Sequence, residues 1–145
     1  MGPTEPIRVL VVDDEPDMRR LFRLALDYDE RFDVVGDAAD GVAAVEAGNA
    51  LIPEAIVLDW SMPRMGGAEA IRQLKAAVQG CKIVVVSAYE RVEIEEMAEA
   101  AGADGYLDKP SAAEALPTLL LRICRDEVDL RDPTQPAPTR GPDRR

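Results

Sequence analysis

No histidine occurs among the 145 residues. That absence excludes histidine acid–base catalysis, histidine metal ligation and a phosphorylated histidine on this chain. Cysteine is scarce: Cys81 and Cys124 are far apart, form no metal or redox motif, and lie in apolar runs, which reads as two reduced core thiols. No apolar stretch is long enough to span a membrane. Met1 to Pro6 lacks the basic and apolar regions of a signal peptide. Positive charge is in deficit, with 17 basic against 28 acidic residues and a net charge of −11. Such a surface repels phosphate backbones, so no nucleic-acid binding by this chain alone is expected. Arg140, Arg144 and Arg145 near the end are too few to change that. A soluble, cytoplasmic, single-domain protein is the expectation, long enough to bury a core without disulfides or a structural metal.

What is present alternates between two patterns. Short continuous Val/Ile-rich runs occur at 7–12, 32–35, 55–58 and 83–86, with a weaker one at 105–107. Continuous rather than alternating apolar runs are how strands buried on both faces of a parallel sheet read. Between them lie helical spacings. Met18, Leu21, Phe22 and Ala25 follow Pro16, a good first-turn residue. Residues 40–49 are alanine-rich. Ile71, Leu74 and Val78 mark a third helix; Ile94, Met97, Ala98 and Ala101 mark a fourth, ended by Gly102. Leu116, Leu120, Ile123 and Cys124 mark the last. Five strand–helix repeats predict an α/β fold, a flavodoxin-like doubly wound (βα)5 domain whose parallel sheet has the order 2-1-3-4-5. The domain should cover 7–125, with a disordered 1–6. From 126 to 145 the chain is rich in proline and poor in apolar residues, and reads as a disordered tail or the start of a linker.

In open α/β sheets ligands bind beyond the carboxyl ends of the strands. Strand one ends in Asp13 and Asp14, strand three in Asp59, strand four in Ser87, and strand five near Lys109. With neighbouring strands about 4.8 Å apart, Asp13 and Asp14 should face Asp59 across a narrow crevice. Three such carboxylates repel, and a hard divalent cation relieves the repulsion; Mg²⁺, held by oxygen ligands and completed by phosphate, suits the set. Phosphoryl transfer needs its equatorial oxygens neutralised. Mg²⁺ and Lys109 would do this, with the Asp59 carboxylate as the nucleophile that becomes an acyl phosphate and Ser87 donating to a phosphoryl oxygen. Each residue alone has a plainer reading: Asp14 as a helix cap, Asp59 as a turn residue, Ser87 as a loop hydroxyl, Lys109 as a solvated charge. Their joint placement at four strand ends favours the functional one.

The motifs now resemble a known family. Val11-Val12-Asp13-Asp14-Glu15-Pro16 is similar to the acidic pair of response-regulator receiver domains. Ile56-Val57-Leu58-Asp59-Trp60-Ser61-Met62-Pro63 resembles their phospho-acceptor strand and turn. Val86-Ser87-Ala88 resembles the hydroxyl switch position, and the segment from Gly102 to Pro110 the switch-aromatic and lysine motif. The resemblance spans about 7–125. It implies phosphorylation of Asp59 by the phosphohistidine of a sensor histidine kinase or histidine phosphotransfer protein. It implies Mg²⁺ bound by Asp13, Asp14, Asp59 and the backbone carbonyl of Ser61, and Lys109 paired with the phosphoryl group. Ser87 and Tyr106 would be the switch pair, altering partner binding on the face of helix 4, strand 5 and helix 5. By the same resemblance, Ser61 and Tyr89 occupy positions that in the family tune dephosphorylation. The resemblance implies a signalling switch rather than an enzyme with an external substrate, acting on an unknown downstream protein; a phosphorylation-dependent dimer is left open.

The chain departs from the family in having Ser111 after Lys109-Pro110, where an aromatic is common. Ser111 and Glu114 suit a capping box for the last helix, and Pro117 then predicts a kink or a late start. A stand-alone receiver is the expected organisation; the alternative is the receiver domain of a longer DNA-binding response regulator. An aspartyl phosphatase is disfavoured by Ser61, where such enzymes want a second acid, and a flavin carrier by the acidic crevice.

Overall fold

The computed structural model describes residues 5–88 and 92–126. Ten elements alternate along the chain: β1 (Ile7–Val12), α1 (Pro16–Asp27), β2 (Phe32–Ala38), α2 (Gly41–Leu51), β3 (Ala55–Asp59), α3 (Gly67–Ala77), β4 (Lys82–Ser87), α4 (Val92–Ala101), β5 (Gly105–Asp108) and α5 (Lys109–Arg125). The strands form one parallel sheet in the order β2-β1-β3-β4-β5, as the alternation predicts. The continuous apolar runs have the predicted cause. β3 is buried along its whole length and β1 and β4 nearly so, because helices cover both faces. On one face Val9, Val11, Val57 and Val84 pack with Phe22 and Leu26 of α1 and Leu116 and Leu120 of α5. On the other, Leu10, Ile56, Leu58 and Val85 meet Ile71 and Leu74 of α3 and Ala98 of α4. Each fully buried aliphatic side chain stabilises the fold by roughly 1.5–3 kcal/mol.

Local chemistry sets the ends. Asp40 accepts a hydrogen bond from the Ala43 N–H at 2.8 Å and starts α2. The α2 terminus closes on left-handed Ile52, and Arg8 donates to the Leu51 and Ile52 carbonyls. Gly102, at φ +119°, terminates α4 as predicted.

Three expectations need correction. β2 runs three residues beyond 35, through Ala38, because Gly36, Asp37 and Ala38 all pair with β1 despite their weak apolar character. α5 is a single unbroken helix from Lys109 to Arg125 with Pro117 inside it, so the late start or kink is not found. Burial of Ala112, Leu116, Leu120 and Leu121 on both sides of the proline holds the helix together across the one lost hydrogen bond. The capping box at Ser111 and Glu114 is absent, because the helix begins earlier, at an Asp108 cap. Ser111 lies in the first turn and its hydroxyl donates back to the Asp108 carboxylate at 3.0 Å. The helices marked by the apolar spacings are found as α1 and α4, with Phe22 and Leu26 buried in α1 and Leu21 and Met97 half exposed. The proline-rich stretch from residue 127 onward, residues 1–4 and Tyr89 lie outside the described residues.

Candidate functional site

The site is assembled at the carboxyl ends of the adjacent strands β1 and β3, with the start of α5 beside them. Asp13 directly follows β1, and its N–H donates to the Ala38 carbonyl of β2 at 3.1 Å, so sheet pairing still fixes its backbone. Arg19, one turn into α1, donates to the Asp13 carbonyl at 2.7 Å. Asp13 Oδ1 accepts from the Glu15 N–H at 2.9 Å, folding the chain sharply into α1. Asp59 is the last residue of β3, next to Val86 of β4 in register. The Trp60 N–H continues that ladder to the Val86 carbonyl at 2.9 Å. The next N–H, of Ser61, turns back to Asp59 Oδ1 at 3.3 Å. Lys109 is the first residue of α5 and reaches over the carboxyl ends of the strands toward Asp13 and Asp59.

The structure brings together four of the predicted residues. One carboxylate oxygen from each of Asp13, Asp14 and Asp59 lies within 4.8 Å of the others. Lys109 Nζ is 3.2 Å from Asp13 Oδ2, 3.5 Å from Asp59 Oδ2 and 3.0 Å from Glu15 Oε1. Asp13 and Asp59 are buried, whereas Asp14 is exposed. The reading of Asp14 as a helix cap does not hold, since Glu15 occupies the cap position of α1. Ser87 ends β4, buried, one residue beyond the strand partner of Asp59. Strand alternation gives Ser87 the same side of the sheet as Val85, whose register partner is Tyr106. Tyr106 is half-buried beside a cleft of about 120 Å³ between α4 and β5, lined by Glu95, Ala98, Glu99 and Asp104. Ser61 lies in the β3–α3 loop beside a second cleft, which opens next to Asp14 and Trp60.

The electrostatics follow from burial. Desolvation, then the neighbouring Asp13 charge, push the Asp59 carboxyl up to about 7 against the opposing pull of Lys109 and the Ser61 N–H. Asp13 is likewise raised, first by burial, although the Glu15 N–H and Lys109 favour its charged form. Burial works against the Lys109 charge, but the Glu15 hydrogen bond and the fields of Asp59 and Asp13 outweigh it and leave its pKa above the ordinary lysine value.

These residues fit a hard divalent cation. The donors are all oxygen, and Asp13 Oδ2 is buried with no hydrogen-bond partner among the described residues, its contact with Lys109 being an ion pair only. Oxygen donors without thiolate or imidazole select Mg²⁺ or Ca²⁺ over zinc, and a site with few protein ligands that leaves room for phosphate favours Mg²⁺. Sequence reasoning assigned no role to Glu15, although it sits beside the acidic pair. It also missed the glycine that seats the loop: a Cβ on Gly67 would lie 2.5 Å from the Trp60 ring, so the indole packs directly on the start of α3. A Gly-Gly pair soon after an aromatic is the only signal of that contact.

Comparison with known proteins agrees with this geometry. A family model described as the response regulator receiver domain matches residues 9–121. A protein-glutamate methylesterase/protein-glutamine glutaminase of Myxococcus xanthus is 39% identical over 112 residues, covering 77% of this chain and 32% of the relative. The response regulator MprA of a Mycobacterium species is 37% identical over 134 residues, covering 92% of this chain and 57% of the relative. The solved signal receiver domain of a NarL response regulator from Mycobacterium tuberculosis superposes with a TM-score of 0.79 at 32% identity, covering 85% of this chain and 99% of that one. The chain spans between about a third and two thirds of the length of the curated relatives it matches. With the fold, the strand-end carboxylates and the family match in agreement, the chain belongs to the response regulator receiver domain family.

Proposed function

We propose that Asp59 accepts a phosphoryl group from the phosphohistidine of a sensor histidine kinase or histidine phosphotransfer protein, and that the resulting acyl phosphate switches partner binding. The observation that carries this reading is the buried Asp59 carboxylate set between Asp13 and the Lys109 ammonium, with Asp14 completing an oxygen cluster. In the transfer, an Asp59 carboxylate oxygen bonds to phosphorus as the phosphorus–nitrogen bond breaks, and the imidazole leaves with that electron pair. Asp13, Asp14, Asp59 and the Ser61 carbonyl would hold Mg²⁺, which when bound neutralises phosphoryl oxygens. Lys109 neutralises the remaining oxygen charge. The Ser61 N–H, already hydrogen-bonded to Asp59, fixes the carboxylate orientation.

Ser87 then donates to the phosphoryl group, and Tyr106, on the same side of the sheet, carries the shift to the α4–β5–α5 face. The new charge biases a two-state element there. We place the protein in the cytoplasm as a signalling switch with no external substrate. At the level of the whole protein two organisations are compatible with this switch, the first a stand-alone receiver. The greater length of the relatives supports the second reading, a receiver within a longer DNA-binding regulator.

Intact mass after incubation with Mg²⁺ and acetyl phosphate tests the acceptor and the metal together. One phosphoryl group should add to the wild type, and none to Asp59→Asn or to wild type with EDTA. An adduct that persists in Asp59→Asn would reject Asp59 as the acceptor.

A further inference from the structure

We infer that Glu15 is a positioning residue that competes with the phosphoryl group for Lys109 and so restrains the site in its unphosphorylated state. This rests on reading Asp59 as the acceptor.

The Lys109 ammonium is shared between acidic partners. Among the described residues three carboxylates lie within ion-pair distance: Glu15 Oε1 at 3.0 Å, Asp13 Oδ2 at 3.2 Å and Asp59 Oδ2 at 3.5 Å. Only the contact with Glu15 has hydrogen-bond geometry. The ammonium that should neutralise the phosphoryl oxygens is therefore held most closely by a residue outside the metal cluster. The backbone of Glu15 is itself fixed, because its N–H is bound to Asp13 Oδ1. Its carboxylate thus has a set starting point from which to reach Lys109.

The partners also differ in environment. The Glu15 side chain is 61% exposed and the Lys109 side chain 15%. A phosphoryl group on Asp59 must draw the ammonium away from Glu15. Water can then solvate the released carboxylate, so the exchange is reversible. A residue that keeps a binding group engaged elsewhere weakens ligand affinity by the fraction of time that group is unavailable. Because an exposed ion pair is weak, the effect is modest, about 2–5-fold in affinity. The expected sign is a gain on removing Glu15, opposite to the loss expected if Glu15 only held Lys109 in place for catalysis.

The test is the affinity for beryllofluoride, a phosphoryl mimic, at saturating Mg²⁺. It is read by calorimetry and by the emission of Trp60, the one tryptophan of the chain. Glu15→Gln keeps the size and removes the charge. Asp17→Asn removes an equal charge two residues along; in the structure Asp17 pairs with Arg20 instead of Lys109. Glu15→Gln should bind beryllofluoride about 2–5-fold more tightly than the wild type, and Asp17→Asn should match the wild type. Unchanged or weaker binding by Glu15→Gln overturns the inference, as does an equal gain in Asp17→Asn, which would show simple long-range repulsion. If the wild type binds no beryllofluoride with Mg²⁺, the acceptor reading itself fails. That outcome is distinct from a wild type that binds and a Glu15 variant that binds equally well.

Discussion

Burial and the Asp13 carboxylate together push the Asp59 carboxyl up to about 7, and this has a consequence for stability that can be signed. The folded protein keeps the Asp59 proton up to about that pH, whereas the unfolded chain releases it near the ordinary aspartate value of about 4. Between these limits the folded state binds more protons, so the contribution of Asp59 to stability falls as pH rises from 4 through 7 and stays low above. Asp59→Asn removes that loss. Without Mg²⁺ the variant should be more stable than the wild type by about 1–3 kcal/mol at pH 8 and nearly equal to it at pH 4. Urea titrations at the two pH values measure the difference. A variant less stable than the wild type at pH 8 would show that Lys109 and the Ser61 N–H already compensate the buried charge. Glu15 belongs to the same scale. As an acidic residue just before Pro16 it reads as an ordinary helix start, and only the position of Lys109, 94 residues away, reveals its contact.

The elements show what was legible and what was not. Their type and order follow from two periods in the apolar pattern, because burial on both sheet faces leaves polar residues in β1, β3 and β4 only at or near the strand ends. The acidic cluster was legible for a related reason: strand ends are identifiable, and topology makes them neighbours. Tertiary contacts decided what was missed. β2 extends through Gly36–Ala38 because β1 offers it hydrogen bonds, and α5 crosses Pro117 because its flanking leucines are buried. The helix nevertheless bears the proline at a cost, since Pro117 has no N–H to give the Ala113 carbonyl one turn earlier. Pro117→Ala restores that donor at a half-buried position and should raise stability by about 1–3 kcal/mol. The shift appears as a higher urea midpoint at unchanged slope. No gain would mean that the fixed backbone of proline in the unfolded chain offsets the missing hydrogen bond.

At the scale of the whole molecule, the acidic cluster sits on a chain of net charge −11, so a cation stabilises it in two separable ways. Any salt screens the general self-repulsion, while an ion held at Asp13, Asp14 and Asp59 adds binding free energy to the folded state alone. One-site linkage gives about 1.4 kcal/mol at ten times the dissociation constant, which for a domain of this size is a shift of about 3–6 °C in melting temperature. Sodium chloride at matched ionic strength should give the screening part only. The excess produced by Mg²⁺ should disappear in Asp13→Asn, since the buried Asp13 Oδ2 has no hydrogen-bond partner among the described residues. The screening part should survive there, because the remaining acidic surface is untouched. Equal shifts from both salts in the wild type would reduce the cluster to an acidic patch. An Mg²⁺ excess retained in Asp13→Asn would move the ion to other ligands. The expected pattern, an excess specific to Mg²⁺ and dependent on Asp13, ties the stability of the entire fold to the same oxygen atoms that are to receive the phosphoryl group.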